Sequence, residues 1–211
     1  MTRLDALLVM AKEPVPGRVK TRLMPACTAE EAATLALAAL IDTLYEARIV
    51  RARRHVLVLD GSPGDWLPAG WQVVAQTGGG LDRRLAAAFV SVTGPAVLVG
   101  MDTPQVRADQ IEAFDPDRHD SALGATEDGG YWAIGFRRPA QAAMAIPGVP
   151  MSQADTGAVQ LSRLRSAGLS VQCLDTLVDV DTGESAAVVA AVAPHTRFAA
   201  RWAAIGSRVA V

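Results

Sequence analysis

Cysteine and histidine are scarce in this sequence. The two cysteines, Cys27 and Cys173, are too few for a disulfide framework or a zinc site and read as small core residues. The three histidines, His55, His119 and His195, show neither metal-ligand spacing nor a neighbouring nucleophile, so no role falls to them. There is no surplus of positive charge: 20 Lys and Arg against 22 Asp and Glu leave a net charge of -2, which argues against a broad nucleic-acid or membrane surface. No apolar run reaches the length of a membrane span, and with Met1 leading straight into an apolar strand no signal peptide is expected. A cytoplasmic enzyme or binding protein is expected. Repeats, low-complexity tracts and linkers are absent too. With 211 residues, half of them hydrophobic, one domain spanning 1–211 is expected.

What is present is an alternation of strand-like and helix-like segments, the pattern of a mixed, mainly parallel α/β sheet with helices on both faces. Strands are expected over 4–10, 55–60, 71–76, 96–100, 121–126, 131–136 and 169–174. Thr28 with Glu31 three residues on predicts a capping box for a helix running to about Arg48. A second helix is expected over 81–92. A third is capped by Ser152 with Asp155 in the box position and closed by Gly168, and two more follow the acidic turn Asp179-Val180-Asp181.

The first strand runs into MAKEPVPGRVKTRLMP, with cations at Lys12, Arg18, Lys20 and Arg22. A cationic turn at the carboxyl end of a first strand is where an α/β sheet binds phosphates, because backbone N–H groups and side-chain charges converge there. Gly17 allows close backbone approach and Thr21 lies within the run. The alternative is an ordinary solvated loop. The run lacks the glycine before its lysine that a Walker loop needs, and it is not a G-x-G-x-x-G turn.

Three acidic segments could complete a site. Asp102 ends a buried strand, where a carboxylate can reach a Mg²⁺ bridging nucleotide phosphates, or can cap the helix that follows. Asp179 and Asp181 lie on the same side of their segment, so either could meet Asp102. In Glu127-Asp128-Gly129-Gly130-Tyr131, Asp128 could assist proton transfer while Gly129, Gly130 and Tyr131 face an acceptor; Asp-Gly is equally a hairpin signal. Phe198 and Trp202, four apart on the last helix, read as core or dimer contacts, which leaves a homodimer open.

MAKEPVPGRVKTRLMP, GMDTPQ, EDGGYWAIGF and DVDTGES, in this order and spacing from Met10 to about Ser185, resemble a bacterial family of uncharacterised proteins of DUF2064 type. Its members are usually described as glycosyltransferases of the nucleotide-diphospho-sugar transferase (GT-A) superfamily, and they are similar to 2-phospholactate guanylyltransferase and the molybdenum-cofactor nucleotidyltransferases. The resemblance implies a Rossmann-like mixed sheet, a nucleotide donor beside strand one and a divalent metal, Mg²⁺ or Mn²⁺, at the Asp102 turn. The chain departs from the family at Leu81-Asp82-Arg83-Arg84-Leu85, where L-G-E-R-L is usual, at Met151 in place of tryptophan, and at Gly183 in place of proline. Met151 and Arg83 are expected near the acceptor.

The combined reading is a metal-dependent transferase in which Lys12, Gly17, Arg18, Lys20, Thr21 and Arg22 hold the phosphates, Asp102 with Asp181 or Asp179 holds the metal, and Lys20 and Asp128 are catalytic. Glycosyl transfer from a nucleotide sugar to a small acceptor comes first on resemblance. Nucleotidyl transfer from a triphosphate is favoured by the density of cations, and a binding protein without turnover is the third reading.

Overall fold

The computed structural model of the chain describes residues 4–24 and 26–209, with side chains to residue 206; Met1 and Pro25, the last residue of the cationic motif, lie outside them. Among the described residues seven strands form one sheet: β1 (Leu4–Lys12), β2 (Ala52–Asp60), β3 (Gln72–Ala75), β4 (Ala96–Gly100), β5 (Ser121–Thr126), β6 (Tyr131–Phe136) and β7 (Val171–Leu177). Their order is β3-β2-β1-β4-β6-β5-β7. The β1–β2, β1–β4, β2–β3 and β5–β7 pairs are parallel, and β6 runs antiparallel to both β4 and β5. The helices are α1 (Ala29–Ile49), α2 (Leu81–Ala88), α3 (Ala108–Glu112), α4 (Ala142–Ala145), α5 (Thr156–Ser166), α6 (Gly183–Val192) and α7 (Arg197–Val209).

Burial explains the continuous apolar strands. Every residue of β1 except Lys12 is buried, because the sheet is covered on both faces. Leu7 and Val9 join a core with Leu40 and Leu44 of α1, whereas Ala6 and Leu8 join one with Phe89, Ile146 and Leu164 on the opposite face. Helix α1 is itself covered on two sides. Its Ala32, Leu35 and Ala39 meet Val189 of α6 and Phe198 of α7 in a third core, which accounts for its alanine-rich, weakly amphipathic sequence. Its start is the capping box expected from Thr28 and Glu31, with reciprocal bonds of 3.2 and 2.9 Å. Phe198 is fully buried and Trp202 packs against this core, so both serve packing within the chain.

Several expected boundaries shift. The helix at 81–92 stops at Ala88, and the last strand runs from Val171 to Leu177. Ser152 is not a cap: α5 starts at Thr156 with Asp155 at the N-cap and no side-chain bond, while Ser152 sits in the left-handed region at φ 58°. A helix start was signalled three residues early because Ser-x-x-Asp fits a cap pattern that a tight turn also uses. Helices α3 and α4 are too short for a periodic signal to emerge. Cys173 is exposed on the edge strand β7, against the expectation of a core position, and Cys27 is buried. No helix of the described residues is long and apolar enough to cross a membrane.

Helix α7 is fastened to α1 by a buried acid. Asp42 is 6% exposed, accepts the Phe198 N–H at 2.9 Å and pairs with Arg197 at 3.2 Å. Removing that carboxylate leaves the buried Phe198 N–H at the helix start without its acceptor, while the half-exposed Arg197 keeps its stacking on Tyr45. Asp42→Ala is expected to cost about 1–2 kcal/mol in denaturant unfolding, the scale of a lost helix cap, because the half-exposed Arg197 keeps Tyr45 and solvent. An unchanged midpoint would show that α7 docks by its apolar face alone.

Candidate active site

The sheet order reverses between β1 and β4, whose parallel ends point the same way, and open α/β sheets bind ligands at such a point. A cleft of about 350 Å³ opens there. Met10, Leu85, Leu98 and Ile134 give it an apolar floor. Lys12, Gln76 and Arg84 line it on the β1–β3 side, and Asp102, Asp128 and Asp179 line it on the side of β4 to β7. A second cavity of about 270 Å³, lined by Arg18, Lys20, Thr21, Arg22 and Asp181, shares Lys12, Met101 and Asp102 with the first. The cationic loop and the acidic turns therefore meet at one place, with the wall between the two spaces formed by the ends of β1 and β4.

Within the loop, Gly17 takes φ 74° with open space around its missing side chain, so it serves the turn and not a close contact within the chain. Val19 is buried and anchors the loop to the α1 face. Lys20 adopts φ 50°, ψ 36°, a left-handed conformation that costs a side-chain-bearing residue about 1–2 kcal/mol. Its ammonium lies 2.5 Å from Asp102 Oδ1 and donates to the Val180 carbonyl. Arg22 pairs with Asp181 at 2.6 Å. Two of the segment's four cations are thus held by the protein's own acids, while Arg18 and Lys12, the latter at the end of β1, carry no side-chain ion pair among the described residues.

The acids divide in the same way. Helix α3 takes Arg107 as its N-cap, so Asp102 is not a helix cap. The Asp102 carbonyl instead accepts the Val180 N–H at 2.8 Å, and Gln105 donates its amide to the Val178 carbonyl, which ties the turn after β4 to the segment after β7. That tie turns Asp179 into the main cleft and leaves Asp181 on Arg22 beside the second cavity. Burial, and then the negative charges of Asp128 and Asp102, push the Asp179 carboxyl up to about 6.

The turn at 126–130 is a hairpin turn and a cleft wall at once. Asp128 Oδ1 accepts from Thr126 Oγ1 at 2.6 Å and from the Gly130 N–H at 2.9 Å, and its other oxygen has no hydrogen bond among the described residues. Gly129 does not open the backbone to a ligand. It takes φ 91°, and a Cβ there would lie 1.8 Å from the Ala154 carbonyl oxygen, so its room is filled by the approach to α5, where its own carbonyl accepts the Gly157 N–H at 2.8 Å. Gly130 and Tyr131 do line the cleft. The Tyr131 hydroxyl meets the Met151 sulfur at 3.9 Å, and burial raises its pKa. Of the two residues expected near the acceptor, Met151 lines the cleft and Arg83 does not; its neighbour Asp82 accepts the Gly148 N–H at 2.8 Å.

Gln76 and Arg84 were not anticipated. The Gln76 amide donates to the Ala11 and Val58 carbonyls at 2.7 and 3.1 Å, which fixes its oxygen to accept from Arg84 at 2.8 Å. The signal was a polar residue closing an exposed edge strand and an arginine one turn into the next helix, too common a pair to stand out.

Among the described residues no three His, Cys, Asp or Glu side chains are grouped to hold a metal ion. The donors at Asp102 nonetheless suit a hard cation. An ammonium already occupies a carboxylate and carbonyl pair there, and Mg²⁺ characteristically uses one or two carboxylates and takes its remaining oxygens from phosphate and water.

Asp179 supplies a test of this electrostatic picture. Its raised pKa means that the native state holds the proton more tightly than the unfolded chain, so its share of stability falls as pH climbs from about 4 to about 6 and stays lost above that. In chelator, Asp179→Asn is expected to raise Tm at pH 7 by about 2–4 °C, the shift that roughly 1 kcal/mol produces in a chain of this size. The gain should shrink as pH falls below 6. A variant that melts lower than wild type at pH 7 would contradict a crowded acidic half.

The pattern of uncharacterized proteins conserved in bacteria, DUF2064, matches residues 31–153, more than half of the chain, and the chain belongs to that family. No curated protein matches it. A crystal structure from Desulfovibrio desulfuricans G20, provisionally described as a nucleotide-diphospho-sugar transferase, is 26% identical over 99% of this chain and 96% of that one, with a TM-score of 0.84. CMP:2-keto-3-deoxy-manno-octonic acid synthetase complexed with CTP is 13% identical, covering 92% of this chain and 100% of that one, with a TM-score of 0.58. The 4-diphosphocytidyl-2C-methyl-D-erythritol synthase of Anaerococcus prevotii DSM 20548 is 10% identical, covering 87% and 94%, with a TM-score of 0.55. The last two are alike in fold alone. The fold is that of the nucleotide-diphospho-sugar transferases.

Proposed function

For this member of the DUF2064 family we propose a divalent-cation-dependent transferase that uses a nucleotide-activated donor, with glycosyl transfer from a nucleotide-diphospho-sugar to a small acceptor as the first reading. The observation that carries it is the charge-divided cleft at the β1/β4 junction, with Lys12 on one side and Asp102, Asp128 and Asp179 on the other. The D. desulfuricans structure, alike over nearly the whole chain, lends the donor class its support.

The donor phosphates lie against Lys12 and Arg18, the cations without ion-pair partners, and against Lys20, Thr21 and Arg22 as these exchange their protein carboxylates for phosphate oxygens. Asp102 and Asp179 hold Mg²⁺ or Mn²⁺, with Asp181 the alternative to Asp179; the cation supplies charge neutralisation at the departing phosphate. Gly130, Tyr131 and Met151 bound the acceptor space. The free oxygen of Asp128 faces the acceptor hydroxyl and takes its proton as the hydroxyl oxygen bonds to the anomeric carbon, while the anomeric carbon–oxygen bond breaks and nucleoside diphosphate leaves.

Nucleotidyl transfer is the second reading, favoured by four cations between the end of β1 and the loop after it, since a triphosphate brings more charge to neutralise. There the acceptor oxygen attacks the α-phosphorus and pyrophosphate leaves. Product analysis across nucleoside triphosphates and nucleotide sugars with Mg²⁺ separates the two, and tight donor binding with neither product would establish a binding protein without turnover.

Arg18→Ala is expected to weaken donor binding about tenfold, the scale of one hydrogen bond to a charged group, without moving Tm, because the side chain is exposed and unpaired. Calorimetric titration with a confirmed donor checks it, and an unchanged affinity would return the loop to solvated surface.

A further inference from the structure

We infer that the Lys20 ammonium is a resident counter-ion of Asp102 which a divalent cation must displace, so that metal and anionic donor bind cooperatively. The inference deepens the proposed function and rests on its assignment of a cation to Asp102.

The positions of the charges carry it. The Lys20 side chain is 9% exposed and that of Asp102 48%, so the ammonium sits behind the carboxylate while the carboxylate faces the cleft. The ammonium is held by Asp102 Oδ1 and by the Val180 carbonyl, the oxygen donors that a hard metal ion selects. An ammonium and a divalent cation cannot share one carboxylate without strong repulsion at such short range.

Lys20 also has somewhere else to go. Its side chain lines the second cavity with Arg18, Thr21 and Arg22, so a polyphosphate there presents it with new oxygen partners. Its backbone is held in the left-handed region, one of two such residues without glycine's freedom among those described, and the other, Ser152, lines the main cleft. Strain of this kind persists where surrounding contacts enforce it and accompanies elements that rearrange. Phosphates that draw the ammonium away free Asp102 for the metal, and by linkage the metal raises donor affinity by the same factor. Metal alone then binds weakly.

The test is the affinity of the full chain for Mn²⁺ alone, read from the electron paramagnetic resonance signal of the free ion. Lys20→Met removes the competing charge, and Lys20→Gln does so while keeping a donor for the Val180 carbonyl, which guards against a fold defect in the first variant. Both are expected to bind Mn²⁺ about tenfold tighter than wild type, within the range typical of coupled sites. The gain should vanish when Asp102→Asn is added. Equal Mn²⁺ affinity in wild type and both Lys20 variants, or a gain that survives Asp102→Asn, overturns the displacement while leaving a metal site in place. Mn²⁺ binding by none of the proteins overturns the displacement and the metal site together.

Discussion

The turn after β4 and the segment after β7 are held against each other by three side-chain and main-chain groups. The Asp102 carbonyl accepts the Val180 N–H, Gln105 donates to the Val178 carbonyl, and Lys20 bridges the Asp102 carboxylate and the Val180 carbonyl. Without that joint, Asp179 would have no reason to face the cleft, because β7 lies at the far edge of the sheet from β1. The joint also brings Lys20, from the first loop, under the fourth strand. Three segments distant in sequence thus become one wall, and the cationic loop and the acidic turns follow from it.

The wall carries a cost in electrostatics. Asp179 is half-buried and shares one space with Asp128 and Asp102, and that burial, then the neighbouring charges, push its carboxyl up to about 6. Burying a carboxylate among like charges costs free energy that packing does not repay. Backbone strain has the same distribution, since the described non-glycine residues at positive φ, Lys20 and Ser152, both line the site cavities. Charge crowding and strain thus fall together at the ends of β1 and β4, the distribution on which the proposed function rests.

Much of this was legible in the sequence, for identifiable reasons. Strands buried on both faces such as AVLV of β4 declare themselves as apolar runs, and the Thr28 capping box is a local signal that tertiary structure has no cause to override. The family resemblance named the fold, and the family match and the nearly full-length structural likeness agree with it. What a one-dimensional pattern does not carry is which partner a charge has already taken. Lys20 and Arg22 read as phosphate ligands because their spacing is right, yet each is paired with an acid some 80 or more positions along the chain, at Asp102 and Asp181. The choice between Asp179 and Asp181 as the acid of the main cleft turned on a backbone bond at Val180, and the room at Gly129 is filled by the approach of α5, both long-range facts.

The central claim is that donor phosphates and a divalent cation come together where the ends of β1 and β4 meet. A crystal structure of the protein with a nucleotide sugar and Mn²⁺, phased at the manganese edge, tests it most directly. The account predicts an anomalous peak between the Asp102 and Asp179 carboxylates, with the diphosphate reaching from that ion to Lys12 and Arg18. A nucleotide bound elsewhere on the sheet, or bound in this cleft with no manganese at Asp102, would contradict it.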